Sequence, residues 1–347
     1  MSPSSSTPQR RRARLLLPGP ALAAARLRSG RPVVVCGGSR PGGAVVALFP
    51  VPGEGPERAE ALVQIVSGES VFALPNHGRE EVLIMVTDGP EPSLIAIDCL
   101  EKRPLWRVLF EPSAPGPALL WRGMTLVADP PQSLTAFNET GHEVWTHALP
   151  ARPSTPPVAV SACGFVAVGT IDGDLCLVDA SGGRVGRWSL EEGVVGLCGS
   201  AGGQILAHDG RTISAFELGR DEALWTAAAP EMSPLMATGD DDLLTLGLKD
   251  GGFVRVGQGI APLVQDLGAT FTHMVMTGAG PLLCGLDSTS GARQHTATFF
   301  PADAPPSSVA LPARPIALVG EAEGATVFCA EDEAADMIFL SWGQGQE

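Results

Sequence analysis

The sequence predicts an all-β protein, a β-propeller of four-stranded antiparallel blades. Three observations carry this expectation. Trp106, Trp145, Trp188 and Trp225 recur at spacings of 39, 43 and 37 residues. An aspartate series, Asp88, Asp129, Asp172, Asp209, Asp250 and Asp287, recurs at 41, 43, 37, 41 and 37. The offset from Asp to Trp stays at 18, 16, 16 and 16, so two marks move in step over four units. Between the marks lie short apolar or β-branched runs bounded by Gly, Asp or Ser. Four such runs per unit of about 40 residues is the pattern of a propeller blade.

Residues 158–190 show the unit most plainly. Val158–Cys163 ends at Gly164. Phe165–Ile171 ends at Asp172-Gly173. Leu175–Asp179 ends at Ser181-Gly182-Gly183, and Arg184–Leu190 carries Trp188. Asp-Gly between two apolar runs is a strong hairpin signal, and it recurs at 88–89, 172–173, 209–210 and 250–251. Helical periodicity is absent outside a short stretch at Ala21–Leu27.

Complete units fall at about 70–110, 114–150, 154–191, 194–229, 232–268 and 271–312, and residues 20–66 supply another. Residues 314–342 supply three strands, Ile316–Val319, Thr326–Cys329 and Met337–Ser341. Arg14–Leu17 is the candidate fourth. Pairing it with the C-terminal strand would close the ring and remove exposed sheet edges. The expectation is therefore eight blades in one domain over 14–347, preceded by a disordered basic arm over 1–13. The alternative is seven blades with the N-terminal segment packed outside.

Composition agrees and narrows the function classes. Gly (42) and Pro (31) make up about a fifth of 347 residues, without a collagen period, as many short strands and turns require. Net charge is −15, yet residues 1–40 hold eight Arg and residues 1–53 hold no Asp or Glu. The acidic remainder repels nucleic acid and anionic membranes. No run of about 18 apolar residues is present to span a membrane as a helix. The seven Cys form no CxxC pair and several lie inside apolar runs, so they read as buried free thiols of a reducing compartment. Arg10–Arg12 followed by Leu15–Leu17 resembles an export signal, but Pro18 and Pro20 break the apolar core and Arg26 and Arg28 follow. The expected location is cytoplasmic, with a periplasmic one as the alternative.

The third and fourth strands carry a family resemblance. Ala96-Ile97-Asp98 leads to Trp106, Ala136-Phe137-Asn138 leads through Thr140-Gly141 to Trp145, Val178-Asp179 leads through Gly182 to Trp188, and Ala215-Phe216-Glu217 leads to Trp225. This resembles the Ala-x-Asp-x-x-Thr-Gly-x-x-x-Trp blade motif of quinoprotein-like (PQQ-like, tryptophan-docking) propellers. The spacing is one residue short before Trp145 and one long before Trp188. The resemblance implies that each Trp packs on the neighbouring blade, a structural role worth a few kcal/mol per ring.

Catalytic constellations are not found. No His or Cys pair has zinc-site spacing, and HExxH, Gly-x-Ser-x-Gly and a complete phosphate loop are missing. His142 and His147 flank Trp145 on an outer strand expected to be solvated, and His208-Asp209 sits at a turn where a local hydrogen bond is expected. The family also includes pyrroloquinoline quinone dehydrogenases, which use a calcium site and an adjacent Cys pair; this chain has no Cys-Cys, so no cofactor or metal is expected. Two candidate partner-binding features remain. The Asp series would ring one face, although Asp also favours such turns because its carboxylate bonds nearby backbone N–H groups. Arg10, Arg11, Arg12 and Arg14 could dock an acidic partner. The expected function is a non-catalytic protein-interaction scaffold in a bacterial multi-protein system, a monomer or a subunit of a hetero-complex. An exported envelope or outer-membrane assembly factor, and a propeller enzyme, are the alternatives.

Overall fold

The computed structural model describes residues 9–341 apart from 17–19, 28, 30, 38–42, 49–59, 67–70, 76–80, 88–90, 111–115, 130–131, 161–163, 201, 229–231, 239–243, 249–252, 258–259, 266–268, 278–279, 288–293, 301–305, 322–323 and 332–333. The described residues form antiparallel four-stranded sheets, each an up-and-down meander. Strand β1 (Gln9–Leu16) belongs to the last of them. Sheet I is β2 (Ala21–Arg26), β3 (Pro32–Gly37), β4 (Gly43–Leu48) and β5 (Glu60–Val66). Sheet II is β6 (Val71–Pro75), β7 (Val82–Thr87), β8 (Ser93–Asp98) and β9 (Arg103–Leu109). Sheet III is β10 (Leu119–Trp121), β11 (Met124–Asp129), β12 (Ser133–Phe137) and β13 (Glu143–Ala148). Sheet IV is β14 (Val158–Val160), β15 (Phe165–Gly169), β16 (Asp174–Val178) and β17 (Arg184–Ser189). Sheet V is β18 (Gly196–Gly199), β19 (Ile205–His208), β20 (Thr212–Phe216) and β21 (Trp225–Ala228). Sheet VI is β22 (Met232–Thr238), β23 (Leu244–Leu248), β24 (Phe253–Gly257) and β25 (Ile260–Gln265). Sheet VII is β26 (Ala269–Thr277), β27 (Gly280–Asp287), β28 (Gln294–Phe299) and β29 (Ser307–Ala310). Sheet VIII is β30 (Arg314–Glu321), β31 (Gly324–Glu331) and β32 (Ala334–Ser341), with β1 as its fourth strand.

The first strand of each sheet lies innermost. β2 packs on β6, β10 on β14, β14 on β18, β18 on β22, β22 on β26, β26 on β30, and β30 returns to β2. Sheets II and III meet through a shared cluster in which Val82, Ile84, Val86 and Leu94 pack on Val127 and Phe137. The opposite side of sheet II, Leu83, Met85, Ile95 and Ile97, packs on Ala25, Val33 and Val35 of sheet I. A middle strand is thus buried on both faces, which is why β7 reads as a continuous apolar run rather than an alternating one. Burying each such side chain contributes about 1.5–3 kcal/mol. The outermost strands alternate instead: β13 shows exposed and half-buried residues in turn. These are the four-stranded antiparallel blades of an all-β propeller.

Two sequence expectations need correction. The closing strand is not Arg14–Leu17 but Gln9–Leu16, in register with all eight residues of β32 from Gln9↔Ser341 to Leu16↔Ala334. The arginines therefore do not form a disordered arm over 1–13; Arg10, Arg11, Arg12 and Arg14 lie in a strand, and only residues 1–8 of that arm fall outside the described residues. An outermost strand has one solvated edge, so it accepts a charge density that marks a flexible tail elsewhere. The Ala-rich stretch at Ala21–Leu27 is strand β2, not a helix. Ala23, Ala24 and Ala25 are buried where inner strands converge, and close packing there overrides intrinsic helix preference.

Candidate functional site

In an up-and-down sheet the turns between the second and third strands all lie at one end. The Asp series marks these turns. Asp172 is exposed in the β15–β16 turn, Asp209 lies between β19 and β20, and Asp129 and Asp287 end β11 and β27. Asp88 and Asp250 lie outside the described residues. The four described aspartates share an end of the fold but not an environment. Asp209 is buried, and its Oδ1 accepts the backbone N–H groups of Arg211 (2.9 Å) and Thr212 (2.7 Å) while Oδ2 accepts the Thr212 hydroxyl (3.0 Å). Burial opposes its charge, but the donors of Thr212 and Arg211 outweigh it and hold the carboxyl below its usual range. Asp129 is half-buried with Oδ1 unpartnered, and desolvation pushes it up to about 6. The series is thus a set of turn-formers with individual surroundings.

Between sheets IV and V the same end exposes two aliphatic side chains, Ile171 (53% exposed) and Val195 (47%). Glu192 and Arg211 pair beside them at 3.2 Å. Beneath lies His208, 1% exposed, with neither ring nitrogen hydrogen-bonded. Desolvation holds its pKa down at about 4. The local hydrogen bond expected at His208-Asp209 is therefore made by Asp209 alone.

The opposite end carries the tryptophan docks. Asp98, Asn138 and Asp179 each close a turn by accepting N–H groups two to four residues ahead, as in Asp179 Oδ1 with Ser181 N (2.8 Å) and Gly183 N (2.9 Å). The turn presents a carbonyl and a glycine to the preceding blade. Trp106 Nε1–H donates to the Glu139 carbonyl at 2.8 Å, and Trp145 Nε1–H to the Ala180 carbonyl at 3.0 Å. Their rings cover Gly141 (φ +80°) and Gly182 (φ +84°), where a Cβ would stand 2.6 and 2.8 Å from the ring. His147 Nδ1 also meets the Gly182 carbonyl at 2.9 Å, so this half-buried histidine joins the dock rather than facing solvent alone.

Trp188 reaches its dock differently. Trp145 pairs with Ala136, but the matching position opposite Leu177 is Gly186, and Trp188 sits two residues further on opposite Leu175. Its ring folds back over Gly186, where a Cβ would stand 2.9 Å away, and Nε1–H donates to the Arg220 carbonyl at 2.7 Å. Trp225 pairs with Ala215 as Trp145 pairs with Ala136, and its Nε1 has no hydrogen-bond partner among the described residues.

Sequence reasoning missed the clamp on the closing strand. Arg12 Nε and Nη2 donate to the two carboxylate oxygens of Asp336 at 2.8 and 3.0 Å. The carboxylate is nearly buried, the guanidinium 41% exposed. A lone acid in the otherwise apolar β32 was the available signal. Asp174, which accepts Arg187 Nε at 2.8 Å and Ser189 Oγ at 3.3 Å, is a second such residue.

The eight inner strands contain no Asp, one His (His273) and one Glu (Glu321). Among the described residues no group of three His, Cys, Asp or Glu side chains could hold a metal ion. No helix among them is long and apolar enough to cross a membrane.

Comparison with known proteins fits this geometry. No curated protein matches the sequence. Among solved structures, BamB from Moraxella catarrhalis superposes with a TM-score of 0.63 at 14% identity, covering 94% of this chain and 98% of that one. The computationally designed Ika8 protein gives 0.67 at 11% identity, and the C-terminal WD40 domain of Sif2 gives 0.65 at 8%, each with the same coverages of 94% and 98%. At such identities these likenesses speak for the fold alone. A family model described as outer membrane protein assembly factor BamB matches residues 69–258 and again 131–294, more than half of the chain. The chain belongs to this family of PQQ-like β-propellers.

Proposed function

We propose that the chain is a non-catalytic, protein-binding propeller of eight blades that acts as an accessory factor in outer-membrane protein assembly. The family match carries this reading, and it favours the envelope over the cytoplasmic scaffold that composition alone suggests. Three features support it. The four-stranded sheets, with β1 paired along β32, support a ring of eight blades joined through its two ends. The inner strands carry mainly small and apolar side chains with a single His and a single Glu, a lining that suits a scaffold. The docks hold successive blades by backbone acceptors, giving a rigid ring whose loops suit recognition. The buried thiols fit either compartment. Desolvation pushes Cys36, Cys99 and Cys198 up to about 12, and oxidation requires an accessible thiolate.

The test is cross-linking and capture of the full-length protein from its native cells, with fractionation and N-terminal sequencing. Recovery in the envelope fraction with outer-membrane assembly proteins is expected. A cytosolic fraction with soluble partners would return the reading to an intracellular scaffold. A mature N-terminus near Arg26 or Ser29 would remove β1 and β2, and the closure described above would then not exist in the working protein.

A further inference from the structure

We propose that the open edge of β1 is a docking site for an extended, acidic segment of a partner protein, which adds to sheet VIII as a fifth strand. The inference rests on the protein-binding reading above and names the partner's chemistry. β1 ends the order β1-β32-β31-β30, so its main-chain groups on the outer side have no strand beside them among the described residues. At eight residues it is the longest fourth strand; the others run from four to seven. Four of its eight residues are arginine, in a chain of net charge −15.

Charge on an edge strand ordinarily blocks self-pairing, and four arginines do refuse a second copy of the same edge. The same charge selects an acidic strand, because main-chain pairing supplies affinity and the guanidinium groups supply sign. Arg12 is turned to a different task. Its bidentate contact with buried Asp336 pins β1 to the sheet, so the edge is fixed before a partner arrives.

The test uses the full-length protein and three fluorescein-labelled ten-residue peptides: alternating glutamate and valine, alternating lysine and valine, and the first with proline at every second valine. Fluorescence anisotropy should show saturable binding of the glutamate–valine peptide alone. The variant R10A/R11A/R14A, which keeps Arg12, should weaken it by about tenfold or more, a change of roughly 1.4 kcal/mol. Equal binding of the proline peptide, unchanged affinity in the variant, or no saturable binding would each overturn the proposal. Should the triple variant unfold, hydrogen exchange on the parent decides instead: β1 amides gain protection with the acidic peptide, and unchanged exchange refutes the site. Failure here leaves the capture experiment standing, since partners retained by the triple variant would bind elsewhere on the propeller.

Discussion

Gly182→Ala is the sharpest probe of how the blades hold together. Gly182 has φ +84°, and an added Cβ would lie 2.8 Å from Trp145 Cδ2 and 3.0 Å from Cγ and Cε3. The ring cannot yield freely, because Nε1 is bonded to the Ala180 carbonyl in the same turn. Two costs follow. An L-residue in the left-handed region loses about 1–2 kcal/mol. Displacing the ring adds about 2–3 kcal/mol, from overpacking and a weakened hydrogen bond. Gly219 is the internal control: its φ is +86°, but nothing lies within 4 Å of its Cβ position. Gly219→Ala should therefore cost only the backbone term. Urea unfolding followed by tryptophan fluorescence should place Gly182→Ala at about 3–5 kcal/mol and Gly219→Ala at about 1–2. The double variant W145A/G182A should recover most of the difference. Equal losses at the two glycines, or strict additivity with W145A, would sink the claim that the ring rests on this glycine.

Other outcomes can be checked in the same preparations. Arg12→Ala should cost about 1–2 kcal/mol by thermal unfolding, a buried-pair loss reduced because the guanidinium is partly in water, and Asp336→Ala added to it should restore part of that loss. His208 and Asp129 give opposite pH responses. The folded pKa of His208 lies near 4, below an unfolded value near 6.5, so its stabilising contribution is full above 6.5 and falls away towards pH 4, by about 3 kcal/mol in total. His208→Leu should flatten stability over that window. Asp129 rises to about 6 from 3.8, so its contribution is full below 3.8 and lost as pH climbs through 6. Asp129→Asn should thus stabilise at pH 7 by about 1–2 kcal/mol, after allowance for its partial exposure, and do little at pH 3.5. The thiols of Cys36, Cys99, Cys176, Cys198, Cys284 and Cys329 are buried, and should resist a thiol reagent until denaturant is added; mass mapping of labelled native protein would show any exception.

The sequence alone determined the repeat. Short strands, set off by Asp-Gly and Ser-Gly turns, are local chemistry, and a period near 40 survives because every blade must present the same two faces to its neighbours. The blade motif marks Asp98, Asn138 and Asp179, and the structure shows why they recur: each accepts N–H groups within four residues of itself. Contacts between distant segments were not legible. The spacing before Trp188 shows an extra residue but not that Gly186 takes the ring's place in the ladder. The Asp series reads as one mark, whereas packing divides it into the bonded Asp209, the desolvated Asp129 and the exposed Asp172. Arg10 to Arg14 read as a charged tail because nothing nearby in sequence contradicts it. Their partner strand lies more than 300 residues away, and the Arg12–Asp336 contact, separated by 324 positions, arises only when the ring closes. Local pattern fixes what a blade is; which residues meet between blades, and where the ends join, depends on how the ring closes.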